Sequence, residues 1–232
     1  LDAPLGRRGL TYHESDDVEI EGIYVASGKN IIHLDKNGKI KNIFSTGLSL
    51  VQPFIDEKNI YVATLKQGVK AYDIKSNKEI WSTSLKKNKV NARVWSGFSF
   101  DKESNSLFVV TSNPGGIIGE NRSGDDFSAS LISIDVKSGK IKWQYKHVVN
   151  DLWDFDLISN PIIVKNLKVI NKKESINCVI ALSKTGDVIM VNIDNGLPVF
   201  DNSYVDVLVQ KSDMENVYTP PTQKSYLKPE KF

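Results

Sequence analysis

The sequence predicts an all-β chain that builds part of a β-propeller from four-stranded antiparallel blades. Three observations carry that expectation. A β-hairpin pattern recurs four times, each recurrence follows a further apolar strand of the same kind, and no convincing 3.6-residue periodicity lies between them.

The four hairpins are IIHLDKNGKIKNIF (31–44), VKAYDIKSNKEIW (69–81), LISIDVKSGKIKW (131–143) and VIMVNIDNGLPVF (188–200). Each has an alternating apolar strand, then a polar marker (Asp35, Asp73, Asp135, Asn192), then a turn residue (Gly38, Asn77, Gly139, Gly196) and a second strand. Gly and Asn tolerate the positive φ of a tight hairpin, and a short polar side chain at the marker can accept hydrogen bonds from the turn's backbone. A large apolar residue follows eight positions after each marker: Ile43, Trp81, Trp143 and Phe200. The tryptophan that ends a hairpin is expected to pack between blades, so Trp81 and Trp143 are assigned to structure.

The preceding strands are GIYVAS (22–27), NIYVAT (59–64), SLFVVTS (106–112) and CVIALS (178–183). Further strands are expected in SLVQPFI (49–55), VWSGFSF (94–100) and NPIIV (160–164). Sheets of three or four strands are each too small to bury a face alone, and radial stacking solves that problem. Residues 1–211 are therefore read as about four blades of an eight-bladed ring. Residues 212–232, with three prolines and no alternation, are read as an extended tail or linker. An arc of four blades would leave open faces and edges. The remaining blades are expected from a missing part of the chain or from another copy.

Bulk composition excludes several classes. Lys plus Arg (30) nearly cancel Asp plus Glu (28), and only Arg7, Arg8, Arg93 and Arg122 are arginines, so nothing favours nucleic acid. The single cysteine, Cys178, lies in an apolar run and excludes an internal disulfide or a CxxC pair; it reads as a small buried hydrophobe. His13, His33 and His147 show no metal-binding spacing. No apolar run approaches the roughly 20 residues that cross a bilayer. Residues 1–20 lack a signal-peptide pattern, and because the chain starts at Leu1 an upstream segment is expected to be missing.

Three stretches could carry chemistry. HVVNDLWDFDLISNP (147–161) concentrates Asp151, Asp154 and Asp156 around Trp153, a composition that suits a desolvated base or a hard cation but equally a polar turn with a packed aromatic. TSNPGGIIGENRSGDDF (111–127) is longer than a hairpin needs and contains Asn113, Asn121, Arg122 and the Asp125–Asp126 pair; no helix follows, so its glycines are not a phosphate loop. SKTG (183–186) puts Lys184 in a tight turn, where an exposed lysine is the ordinary reading. Trp95 in RVWSGF and the Tyr12-His13-Glu14 triplet are weaker signals taken singly.

Taken in order, these segments resemble the pyrroloquinoline quinone (PQQ)-dependent dehydrogenases, especially their glucose dehydrogenase branch. The resemblance rests on RGLTYHE (8–14), VWSGFSFDKESNSLFVVTSNPGG (94–116), ENRSGDDFSASLISIDVKSGKIKW (120–143), HVVNDLWDFDLISNP, SKTGDVIMVNIDNGLPVF and TPPTQ (219–223), with NDLWDFD the most specific. It implies PQQ and Ca²⁺ as cofactors. By that resemblance Trp95 is the aromatic floor under the quinone, and Asn113 a calcium ligand. Asp154 is the general base and a neighbour or ligand of the calcium. Lys184 donates hydrogen bonds to the quinone oxygens, and His13 lies near the substrate hydroxyl.

The implied reaction is hydride transfer from a sugar or alcohol, with electrons passed to ubiquinone or a cytochrome. The implied location is the periplasm, with membrane association through an upstream segment. The family usually carries an acidic or amide calcium ligand in the loop before the second hairpin, where this chain has only Leu65-Lys66-Gln67. A degenerate or truncated enzyme would share that departure. Two competing readings need only the hairpins or exposed aromatics: a non-catalytic propeller scaffold like the quinoprotein-like lipoproteins of outer-membrane assembly, and a carbohydrate-binding propeller.

Overall fold

The computed structural model describes residues 5–49, 51–87, 90–113, 126–148, 154–168, 174–184, 186–200 and the backbone of 230–231. The first sheet contains β1 (Leu5–His13), β2 (Gly22–Ser27), β3 (Asn30–Leu34) and β4 (Ile40–Ser45), paired antiparallel in chain order. The second repeats that order with β5 (Phe54–Ile55), β6 (Asn59–Thr64), β7 (Gly68–Asp73) and β8 (Glu79–Thr83). A two-residue ladder, β9 (Lys86–Lys87) with β10 (Val90–Asn91), precedes the third sheet. That sheet is built from β11 (Ser99–Asp101), β12 (Ser106–Val110), β13 (Ser130–Asp135) and β14 (Ile141–Lys146). The fourth contains β15 (Ile162–Leu167), β16 (Ile176–Leu182) and β17 (Val188–Asn192). Pro198, which has no N–H to give a ladder, reaches Val191 only as an isolated bridge, so no fourth strand forms there among the described residues.

Several elements differ from the sequence reading, the β9–β10 ladder among them. β1 was not anticipated; it forms one edge of the first sheet and contains the RGLTYH segment. In the segment read as a tail, β18 (Glu230–Lys231) pairs with β14 as a fifth strand of the third sheet, using the edge groups that β14 leaves open; residues 212–229 lie outside the described residues.

Turn chemistry follows the expected pattern. Asp35 Oδ1 accepts from the amides of Asn37 and Lys39, and Asp73 and Asp135 Oδ1 each accept from a serine amide and hydroxyl in their turns. Those hydrogen bonds favour the charged form and lower all three carboxyl pKa values, against the opposing effect of burial, which is the largest single influence at Asp135. Asn77, Gly139 and Gly196 all take positive φ.

Three apolar clusters lie between successive sheets: Tyr24 and Phe44 against Ile60 and Tyr72, Tyr61 and Trp81 against Leu107 and Ile134, and Phe108 and Trp143 against Val179 and Val191. The tryptophans also bond across these junctions. Trp81 Nε1 donates to Val136 O at 2.7 Å and Trp143 Nε1 to Ile193 O at 3.0 Å. Each ring lies over the turn glycine of the next sheet, Gly139 or Gly196.

The first junction is built differently from the two that carry tryptophans. The hairpin at Asp35 closes with Asp35 N to Lys39 O, one residue shorter than Asp73 N to Lys78 O or Asp135 N to Lys140 O. A one-residue slip turns every following side chain to the other face. Ile43 is accordingly 45% exposed, and Asn42 takes the tryptophan's place, donating through Nδ2 to Ile74 O at 3.3 Å.

The outer faces of the first and fourth sheets have no covering sheet among the described residues. Ladder partners Leu10, Val25, Ile32 and Ile43 share one face, and Ile162, Ile180 and Met190 share the other. Leu10 and Ile162 are more than half exposed, and Phe200 is exposed too. Cys178 is fully buried. Among the described residues no helix is long and apolar enough to cross a membrane.

Candidate active site

Antiparallel order fixes which loops meet. In each sheet, the link entering the first strand and the turn between the second and third strands lie at one end; the hairpin turns of the Asp and Asn markers lie at the other. Asn113 follows β12, Asp154 and Asp156 precede β15, and Lys184 lies between β16 and β17. All four thus occupy the same end of two neighbouring sheets.

Their side chains converge there. Asn113 Nδ2 donates to Asp154 Oδ1, and Lys184 Nζ donates to Asp154 Oδ2 at 2.7 Å. Asp156 ties the group from beneath: Oδ2 accepts from Asn113 N at 2.9 Å, Oδ1 pairs with Lys184 Nζ at 2.6 Å, and its carbonyl accepts from Lys184 N at 3.0 Å. Asp154 takes φ +71, a left-handed conformation that Asp adopts more readily than most residues.

Exposure separates the two carboxylates. Asp154 and Lys184 side chains are each about one-third exposed, whereas Asp156 is 3% exposed. Burial pushes the Asp156 carboxyl pKa upward, against the Lys184 ammonium and the Asn113 N–H, which stabilise its charge. Burial alone would lower the Lys184 pKa, but hydrogen bonds to Asp154 and Asp156 outweigh it and raise the value. The ammonium therefore remains charged, and Asp154 presents a carboxylate to solvent with a cation on one oxygen and an amide on the other.

Trp95 belongs to the same end. Val94 bridges Thr111 and Arg93 O accepts from Ser112 N, so Trp95 lies on the upper extension of β11 beside the strand that leads to Asn113. Its neighbours also reach the fourth sheet: Ser96 Oγ donates to Ser159 O, and Gly97 N to Asn160 Oδ1. Trp95 is 41% exposed.

His13 is elsewhere. It ends β1 opposite Gly22, and Gly22 lies against His33 and Leu34 beside the Asp35 hairpin. Strand direction thus puts His13 at the end of the first sheet opposite to that of Asn113 and Lys184, and the arrangement gives it no part in this cluster. Asp151, Trp153, Asn121, Arg122 and Asp125 lie outside the described residues. For Asp156 the sequence offers one signal, its place in the acidic cluster around Trp153, and no individual role.

Hard oxygen donors suit a cation such as calcium, which takes 6–8 of them. Asn113 Oδ1 and the Asp154 carboxylate are two. The turn between β6 and β7, which lies at the same end, contains Leu65, Lys66 and Gln67 and adds no carboxylate. Among the described residues no group of three or more His, Cys, Asp or Glu side chains could hold a metal. The donor types fit a hard cation, but only part of its shell comes from these residues.

The family model for the PQQ-type glucose/ethanol/alcohol dehydrogenase β-propeller domain matches residues 83–231. The chain belongs to that family. PQQ-dehydrogenase relatives include a quinate/shikimate dehydrogenase (quinone) from Acinetobacter baylyi, 32% identical over 112 residues that cover 41% of this chain and 14% of that protein. Quinoprotein glucose dehydrogenase A from Acinetobacter calcoaceticus is 24% identical over 151 residues, covering 56% of this chain and 18% of the relative. Relatives named for quinate and for glucose both match, so the glucose branch expected from the sequence is not singled out. Among solved structures, a europium-containing methanol dehydrogenase has the same fold, with a TM-score of 0.71 at 20% identity over 87% of this chain and 42% of that one. The matched stretches cover less than a fifth of the length of these curated relatives.

Proposed function

We propose that this chain forms the cofactor-facing part of a PQQ-dependent dehydrogenase that oxidises the hydroxyl group of an alcohol or sugar. The observation that carries this reading is the convergence of Asn113, Asp154 and Lys184 from two sheets at one end of the arc, beside Trp95, within a stretch that matches the PQQ propeller family. Neither a scaffold nor a carbohydrate-binding propeller requires an amide, a carboxylate and an ammonium to meet there.

PQQ, when bound, supplies the two-electron acceptor, and a calcium ion beside it polarises the accepting carbonyl. Trp95 offers the indole face on which a planar ring gains dispersion and stacking. Lys184 holds a charge that can bond the ring's oxygens once it turns from Asp154. Asp154 accepts the hydroxyl proton while the hydride leaves the carbinol carbon, and Asn113 keeps one oxygen of that carboxylate oriented. Asn113 Oδ1 and the Asp154 carboxylate are the oxygen donors that would hold such a cation on this side. The electrons then pass to a quinone or cytochrome, and the periplasm is the compartment in which we place the reaction. Further sheets of the same repeat, from the rest of a longer polypeptide or from a second copy, cover the apolar faces around Leu10 and Ile162.

The test is spectroscopic. Protein mixed with PQQ and CaCl₂ should show the quinone absorbance change when quinate, glucose or ethanol is added, and at least one of the three should be turned over. No spectral change with any of them, in protein shown to bind PQQ, would exclude dehydrogenase activity on those hydroxyls.

A further inference from the structure

The Lys184 turn is held from two sides, and only one of them belongs to the cluster already described. The turn closes on itself through Ser183 N to Asp187 O and Gly186 N to Ser183 O, both at 3.1 Å. Asp187 N also donates to Ser183 Oγ at 3.1 Å, and Lys184 N to Asp156 O at 3.0 Å anchors the front. At the back, the Asp187 carboxylate crosses to the third sheet, where Oδ2 stands 3.3 Å from His147 Nε2. The same oxygen accepts from Ser183 Oγ at 3.4 Å.

His147 is well placed to be the fixed point. It follows β14, its backbone N donates to Ala129 O at 2.9 Å, and its side chain is 3% exposed. The imidazole is therefore held by the third sheet while its Nε2 faces a loop of the fourth. A buried polar ring in such a place costs free energy unless a polar group meets it, and the Asp187 carboxylate is a polar group that faces its Nε2. Asp187 in turn spends its amide, carbonyl and carboxylate on Ser183 and His147, so the pair acts on the turn that supports Lys184.

We propose that His147 and Asp187 form a bracket between the third and fourth sheets that sets the position of the Lys184 ammonium, making both of them positioning residues of the site. The proposal rests on the dehydrogenase reading for what Lys184 does, but the bracket itself can be read without a cofactor. Outer partners that orient a site's ligands typically change affinity by about 10–100-fold when removed, and the lower end suits a contact at 3.3 Å.

Two measurements test it on the full chain. Amide hydrogen exchange over 183–187 should quicken by about tenfold in His147→Leu and in Asp187→Ala, with β16 protection unchanged. His147→Gln, whose side-chain amide can replace Nε2–H, should restore slow exchange. In parallel, PQQ titrated with CaCl₂ and followed by tryptophan fluorescence should bind about tenfold more weakly to His147→Leu and nearly normally to His147→Gln. In a Lys184→Ala background, His147→Leu should cause no further loss, because the effect runs through Lys184. Unchanged exchange in both single variants, or a His147→Leu loss that is the same with and without Lys184, would overturn the bracket. Failure of the wild-type protein to bind PQQ would sink the functional reading while the exchange data still decide the bracket.

Discussion

Gly139→Ala should destabilise the protein far more than a glycine turn substitution ordinarily does. Gly139 has φ +72, and a Cβ built there would sit 2.6–2.9 Å from the Cδ2, Cε3 and Cγ atoms of Trp81. Two costs follow. An L-residue in the left-handed region costs about 1–2 kcal/mol. Overpacking against a rigid indole costs about 1–3 kcal/mol more. Trp81 has little room to retreat, because its Nε1 is tied to Val136 O and its ring is 8% exposed within the second inter-sheet cluster. The expected loss is therefore about 2–5 kcal/mol.

Gly38→Ala is the internal control: its φ is +81, but nothing lies within 4 Å of its Cβ position, so it should lose only the backbone cost. Equilibrium urea unfolding of the two variants, with the midpoint and slope fitted together, measures the difference. Trimming the ring in Gly139→Ala/Trp81→Leu should cost less than the sum of the two single changes, since the clash is removed. If Gly139→Ala is no less stable than Gly38→Ala, the idea that a tryptophan–glycine contact locks neighbouring sheets is refuted.

Other outcomes follow from the same geometry. Asp154→Asn should lower turnover by about 10²–10⁴-fold while its urea midpoint stays that of the wild type; retained turnover removes Asp154 as the base. Lys146→Met should cost about 3–5 kcal/mol, because Lys146 Nζ lies 2.9 Å from Asp126 Oδ1 with both side chains at most 4% exposed, and the carboxylate would be left without its cation. Lys146→Met/Asp126→Leu should recover much of that loss.

Acid should weaken the fold through buried imidazoles. Burial lowers the pKa of His33, against its hydrogen bond to Glu21 O, and of His147, against the Asp187 charge. The unfolded chain then takes up these protons first, so this contribution is complete above about pH 6.5 and is lost as pH falls below it. A urea midpoint that stays constant from pH 7.5 to pH 5 would contradict that assignment.

Local chemistry made the repeat legible in the sequence. A short polar side chain followed by Gly or Asn bonds its own turn whatever surrounds it, and alternation of apolar residues states which faces are buried. The hairpins at Asp73 and Asp135 and the inter-sheet packing of Trp81 and Trp143 could therefore be read directly. Residues of the site were legible for a different reason: the order of NDLWDFD, SKTG and the Asn113 segment resembles one family, although nothing in their spacing along the chain says that they touch.

What tertiary structure decided is everything that depends on direction and register. A hairpin one residue shorter at Asp35 exposes Ile43 and gives the junction to Asn42, a change that a count of eight positions cannot detect because side chains alternate with period two. Strand direction separates His13 from Asn113 and Lys184 although all of them belong to one ordered set of segments. The roles of Asp156 and of the His147–Asp187 contact arise only where loops from two sheets meet, since hydrogen bonds at about 3 Å between residues dozens of positions apart leave no trace in local composition.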